Sequence, residues 1–238
     1  FYRVETYGVT NNANMLWGMY GFRSFHSILP GSAFEYYSGM GFNRSVNTDP
    51  DGSYYAMRSV NSTKYLVIQS YKLEYSDTKT LLENLKNFEK IDEQDGFTIF
   101  KNKAYIPIGY SNSYYISDDE YEKIAKSNRD NMLARAVVLT DEQIEKYSDI
   151  LPELEPDRYS DFNYYTFEKD AQELAKTAVD TFTPTANGFK ATSSFTEDRF
   201  VTFTVPWESG WSATINGEKA EIEKVNRGVM GIKVPAGE

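Results

Sequence analysis

The alternation of hydrophobic and polar positions along this chain changes character near residue 160. Before that point, strand-like and helix-like patterns take turns. "FYRVET" (1–6) alternates apolar and polar residues and predicts a short strand. "NNANMLWGMYGFRSFHSILPG" mixes aromatics with glycines and predicts a loop holding one helical turn. "SAFEYYSGMGF" reads as a short helix or an aromatic loop ending at Gly39, and "NTDPDGS" (47–53) as a turn. "KYLVIQ" (64–69) is a continuous apolar run with β-branched residues, which suits a strand buried on both faces. "TKTLLENLKNFEK" (78–90) sets Leu81, Leu82, Leu85 and Phe88 at helical spacing. "DGFTIFKN" and "AYIPIGY" are strand-like, with Pro107 marking an edge or an end.

Two helix starts are spelled out more fully. In "SDDEYEKIAK" (117–126), Ser117 can accept the backbone N–H three residues on while Glu120 reaches back. Asp118 and Asp119 then sit at the positive end of the helix dipole. "RAVVLT" (135–140) predicts a buried strand. It leads into "TDEQIEKYSDIL", where Thr140 caps and Ile144, Tyr147 and Leu151 form an apolar stripe. "LPELEPDRYSDF" carries two prolines and four acids and reads as a linker; "TFEKDAQELAKTA" (166–178) reads as one helix.

Beyond that helix the period drops to two. "VDTFT", "GFKATS", "RFVTFTV", "WSATI", "KAEIEKV" and "VMGIKV" are short alternating runs separated by Gly, Pro and Asn-Gly pairs. Val201, Phe203 and Val205 share one face, as do Trp211, Ala213 and Ile215, and Met230, Ile232 and Val234. The expected fold class is therefore α+β. A mixed α/β layer domain (1–155) precedes a linker, one helix and an antiparallel β-sandwich of jelly-roll or carbohydrate-binding type (156–238).

Composition narrows the function classes. With 25 Lys+Arg against 35 Asp+Glu the net charge is 25 − 35 = −10. That argues against nucleic acid or an anionic membrane surface as the partner of the chain as a whole. There is no cysteine, so no disulfide, thiolate metal site or cysteine nucleophile is available. The chain starts at Phe1 and is expected to be a fragment or a processed product. It holds no apolar run near the ~20 residues that span a bilayer.

Sequence motifs for chemistry are sparse. His26 is the only imidazole, in "RSFHSIL", without a nucleophile-elbow pattern around it. Asp49 and Asp51 in "TDPDGS" have the spacing of a calcium loop's start, but the later carboxylates such a loop needs are missing, and Pro50 and Gly52 suit an ordinary turn. No phosphate-cradling glycine loop occurs, and no pair among the acids stands out. The expectation is no catalytic residue, no metal and no cofactor within this chain.

What stands out is aromatic content: 19 Tyr, 15 Phe and 3 Trp. Tyr36-Tyr37, Tyr54-Tyr55, Tyr114-Tyr115 and Tyr164-Tyr165 are doublets, and in extended chain neighbouring side chains face opposite ways. Rings with an apolar face and a polar tip suit sugars and other amphipathic ligands, and half-buried packing uses the same residues. The ligand-binding candidates are Tyr54, Tyr55, Tyr114, Tyr115 and Trp207. Asn216-Gly217 predicts a type I′ hairpin turn, which puts Trp211 with Ala213 and Ile215 in the core and leaves Trp207 in a loop after Pro206.

The block "VPWESGWSATINGEKAEIEKVNRGVMGIKVPAGE" resembles the C-terminal extracytoplasmic signature of the bacterial YfhO family of multi-spanning membrane proteins. That signature runs Pro-aromatic, Gly-Trp, an Asn-Gly turn, a Val-Asn-x-Gly turn, a Met-Gly pair and a final Pro-x-Gly. "FYRVE", "DGFTIFKNKAYIPIGY" and "NGFKATSSF" are similar to further blocks. The resemblance implies a polytopic parent with a GT-C-like glycosyltransferase architecture. Such a parent uses a lipid-linked sugar outside the membrane and, in Gram-positive bacteria, is tied to glycosylating cell-wall polymers such as lipoteichoic acid. It implies catalytic acids in membrane-adjacent loops, none of which maps onto this sequence. The chain is then expected to lie on the extracellular face of the membrane, anchored by transmembrane segments outside it. Its partners would be its own transmembrane domain and a wall glycan or lipid-linked sugar that it recognises or positions. The alternative is a structural or protein-interaction module that braces the membrane domain and has no ligand of its own.

Overall fold

In the computed structural model, which describes residues 1–237, the strand Arg3–Tyr7 runs parallel to Thr63–Gln69. Thr63–Gln69 pairs antiparallel with Phe97–Asn102, and that strand with Phe88–Gln94 at the sheet's edge. Leu66 and Ile68 alternate onto one face and pack with Leu81 and Leu85 from the Ser76–Asn84 helix and its end. The other face of Thr63–Gln69 is only half-buried at Tyr65 and Val67, so this strand is covered on one side and not on both.

The apolar spacing across 78–90 does not carry one helix. The helix ends at Asn84, and Phe88 reaches the same core from the start of a strand. After Phe88, "EKIDEQ" is exposed and charged, which keeps an open edge from pairing with other chains. "AYIPIGY" forms no strand beyond a single bridge, Tyr110 to Thr202, although Ile106, Ile108 and Tyr110 are buried. Pro107 has no N–H to give a ladder.

Farther on, Tyr115–Ser117 lies parallel to Val137–Leu139. Ser117 Oγ accepts the Glu120 N–H at 3.2 Å, but Glu120's carboxylate pairs with Lys123, so only half of that capping box forms. At Thr140 the box is complete: Gln143 N–H donates to Oγ1 and Gln143 Oε1 accepts the Thr140 N–H. The acidic segment before residue 164 contains the short 3-10 turn Pro156–Tyr159. Asn163 then caps the helix Tyr164–Ala175, which sends Phe167, Ala171 and Leu174 into the largest core.

The C-terminal strands form a three-stranded antiparallel sheet, in the order Arg199–Pro206, Val229–Val234, Glu223–Val225, together with two separate hairpins. The hairpins are Thr181–Thr185 with Gly188–Thr192, and Ala213–Ile215 with Glu218–Ala220. "KAEIEKV" is thus split between two strands. The chain is a mixed α+β protein whose β structure is distributed over several small sheets.

Both faces of the three-stranded sheet are buried. Val201, Phe203, Met230 and Ile232 pack toward the two hairpins. Phe200, Val225 and Val229 pack the other way, into the large core that also holds Met57, Leu151 and Phe167, where the Phe200 ring meets Tyr147 at 4.7 Å. Gly231 must be glycine because a Cβ there would meet the Phe200 ring at 2.6 Å. The sheet is a wall with a core on each side.

Candidate functional site

The face of this wall turned toward the hairpins is the floor of a cleft of about 700 Å³. Phe203, Met230 and Ile232 floor it because period-2 alternation turns every second residue of Arg199–Pro206 and Val229–Val234 that way. One wall is Phe189, whose ring stacks on Phe182 at 4.7 Å and lies 4.9 Å from Phe203. Trp211 lies beside it in the lining, its ring in tilted contact with Phe189 at 6.2 Å between ring centres. It sits so close to the Gly188 backbone that a Cβ there would lie 3.0 Å from Cζ3. Thr185, Asn187, Thr192 and Thr214 contribute polar groups to the lining, and Lys190 is the one ionisable side chain in it among the described residues. Such a cleft offers flat apolar contact with hydrogen-bonding groups beside it and no acid–base pair.

The predicted contacts do not converge on this cleft. Trp207 is half-buried outside it, its Nε1–H donating to the Ile222 carbonyl at 3.3 Å and its backbone N–H to Gly228. Tyr54 donates to the Gly41 carbonyl and packs on Phe42. Tyr55 donates to Asn131 Oδ1 at 2.9 Å and meets Tyr164 and Phe167 edge-on, and burial pushes its phenol up. Tyr115 is buried in the large core. Tyr114 lines a separate polar hollow of about 690 Å³, with the Arg158 guanidinium 5.2 Å from its ring centre. The structure thus disperses Tyr54, Tyr55, Tyr114, Tyr115 and Trp207, and it sets Trp211 against a cavity. Trp211 precedes the Ala213–Ile215 strand and shares the cleft lining with Ala213 and Ile215, as alternation predicts; alternation does not reveal that this side is only partly covered.

Asp49 and Asp51 are engaged as turn residues. Asp49 pairs with Arg23 at 2.7 Å, and Asp51 Oδ1 accepts the Ser53 N–H and hydroxyl. The loop is held from beneath by Arg58, which nothing in the sequence singles out. All five of its N–H donors are used: two on the Glu5 carboxylate, at 2.7 and 2.9 Å, and three on the carbonyls of Pro50, Asp51 and Tyr54. Both charged side chains are fully buried.

A further contact is built by "VNRGV" (225–229), the turn between the last two strands of the wall. Asn226 and Arg227 both have positive φ, which makes the turn tight. Asn226 is hydrogen-bonded to both backbone groups of Val138. Arg227 reaches Asp118 at 2.6 Å and Glu122 at 2.5 Å, and Lys224 pairs with Glu35. Gly228 lies so close to the Gly31–Gly39 helix that a Cβ there would be 1.9 Å from the Ser32 carbonyl oxygen. Nearby, burial alone would push the Glu223 carboxyl up. Hydrogen bonds from Lys146, Tyr147 and Gln143 outweigh it and hold the carboxyl below its usual range.

The family model of the bacterial membrane protein YfhO matches residues 1–161 and 153–238. The chain belongs to the YfhO family. In this YfhO-family chain the C-terminal block forms both the cleft floor and the turn docked on Val138. No helix among the described residues is long and apolar enough to cross a membrane. Nor do the described residues contain a cluster of three or more His, Cys, Asp or Glu suited to a metal ion. No match was found among curated proteins or among solved structures.

Proposed function

We propose that this chain is the extracellular part of a YfhO-family membrane protein of glycosyltransferase type, and that it recognises or positions a glycan for the membrane domain. The observation that carries this reading is the cleft lined by the adjoining Phe189 and Trp211 rings, with its apolar floor and bordering Thr and Asn side chains. A pyranose ring has an apolar C–H face that lies on an aromatic ring and hydroxyls that seek amides and hydroxyls at the edge. A neutral sugar fits better than a polyanion such as an unmodified teichoic acid, because a net charge of −10 repels the latter. On this reading the two hairpins beside the cleft take the part expected of a carbohydrate-binding sandwich. Donor chemistry with a lipid-linked sugar, and any action on lipoteichoic acid, belong to the membrane-embedded part of such a protein.

The test is calorimetric titration of the 238-residue chain with neutral gluco-, galacto- and N-acetylhexosamine oligosaccharides. At least one series binds, and Trp211→Ala and Phe189→Ala each weaken it about tenfold or more, while Trp207→Phe does not. Failure of every series to bind, or binding indifferent to both cleft variants, overturns the reading.

A further inference from the structure

Large apolar side chains left in water are concentrated in one stretch of this chain. Leu16 is 81% and Ile28 91% exposed, and Met15, Trp17, Phe25 and Val46 are exposed as well. They lie on different short segments that the fold ties together. Asn12, at the start of the Ala13–Leu16 turn, exchanges two hydrogen bonds with the Phe25 backbone, accepting its N–H at 2.7 Å and donating to its carbonyl at 2.8 Å. His26 N–H donates to the Val46 carbonyl at 2.9 Å, next to the two-residue ladder of Ser24–Phe25 with Asn47–Thr48. The exposed groups are therefore held on an ordered scaffold.

Charge follows the same boundary. Between Glu5 and Asp49 the chain has a single acidic residue, Glu35, and it is paired with Lys224. The same stretch carries Arg23 and Arg44. A chain of net charge −10 thus has one long segment nearly free of negative charge, and that segment holds most of its exposed large apolar side chains.

We infer that this surface, centred on Leu16, Trp17 and Ile28, seats the protein on the headgroup region of a lipid bilayer. An apolar patch bordered by water pays nothing unless something covers it. Trp at the end of an apolar turn suits the interfacial depth, where its ring is half in hydrocarbon and its N–H stays wet. The absence of acids removes the local repulsion that anionic headgroups exert on the rest of the molecule, which is screened beyond about 8 Å at physiological salt. Membership in a membrane-protein family places a bilayer within reach. The glycan cleft is built from other elements, so this inference stands or falls without it.

The experiment is flotation of the 238-residue chain with vesicles of phosphatidylcholine containing phosphatidylglycerol, and separately with brominated acyl chains. The chain floats with the vesicles, and brominated lipid quenches Trp fluorescence in a way that Trp17→Phe abolishes. The double variant Leu16→Asp with Ile28→Asp, at positions too exposed to matter for folding, loses at least about tenfold in partitioning. Tyr165→Asp, at an exposed aromatic outside the patch, does not. No flotation, or equal flotation of the Leu16/Ile28 and Tyr165 variants, overturns the inference. So does quenching that survives Trp17→Phe. A surface that serves a protein partner instead gives the first of these results.

Discussion

Asn226 grips Val138 by both of its backbone groups: Asn226 Oδ1 accepts the Val138 N–H at 2.7 Å, and the Asn226 N–H donates to the Val138 carbonyl at 3.1 Å. A turn residue from the C-terminal wall thereby acts as one more strand position beside Val137–Leu139. Removing it leaves the buried Val138 N–H without a partner. Asn226→Gly keeps access to the positive φ of 48° and loses the side-chain bond, at a cost of about 1–3 kcal/mol. Asn226→Ala adds left-handed strain of roughly 1 kcal/mol more. Urea unfolding of the two variants measures both, and equal stability of the two refutes the strain component.

Gly228 should tolerate no side chain. A methyl group there would overlap the Ser32 carbonyl oxygen, which belongs to helix backbone and cannot swing aside. Gly228→Ala is expected to cost about 3 kcal/mol, at the upper end of overpacking effects. Gly217→Ala is the comparison. It sits in the Asn-Gly turn at φ 89° with open space around it, so its cost is conformational only and about 1 kcal/mol. Thermal melts of the two variants should rank in that order.

Asp130 gives the protein a distinctive pH response. It is buried, with Oδ2 accepting the Met57 N–H and Oδ1 accepting the Asn131 N–H and side-chain amide; no ion pair reaches it among the described residues. Burial pushes its carboxyl up to about 6, and the hydrogen bonds only partly offset that. The folded state therefore holds this proton more tightly than the unfolded chain. The associated stabilisation is complete below the unfolded pKa near 4 and is lost as pH rises through about 6, amounting to about 3 kcal/mol. Stability of the native chain minus that of Asp130→Asn should fall across this window and be flat above it. A difference that does not change between those pH values would refute the assignment.

Glu5 and Arg58 are each fully buried, so removing one charge strands the other. Glu5→Gln is expected to cost about 3–5 kcal/mol. The loop at 50–54 hangs on three of Arg58's donors, so Arg58→Met should also raise hydrogen exchange and proteolysis there. Exchange in the Phe88–Gln94 edge strand should be unaffected.

Strands whose large apolar residues alternate with Thr, Gly or Lys, and standard turn chemistry, could be read directly from the sequence. Val201, Phe203, Met230 and Ile232 share a face as their alternation requires, and Asn216-Gly217 forms the positive-φ turn its composition demands. The Phe88–Gln94 strand was hidden because an edge exposed to water selects charged residues, which erases period two. Glu5 and Arg58 are 53 residues apart with no local pattern joining them. The roles of the aromatic doublets are hard to read from sequence for a related reason. Whether a tyrosine lines a cavity or fills one depends on what arrives from elsewhere in the chain: Tyr55 is claimed by Asn131 and Phe167, and Tyr115 by the large core.

The position of the wall in the chain sets the order in which the protein can be completed. Phe22, Tyr36 and Met57 leave the ribosome well before Phe200, Val225 and Val229, which close the same core. Until they arrive, one side of that core has no lid and its apolar residues are open to misassociation. Contacts of such long sequence separation also slow the search for the native state. A nascent chain stalled before residue 199 would accordingly be a strong client for chaperones, and one extended past residue 234 would be a weaker one.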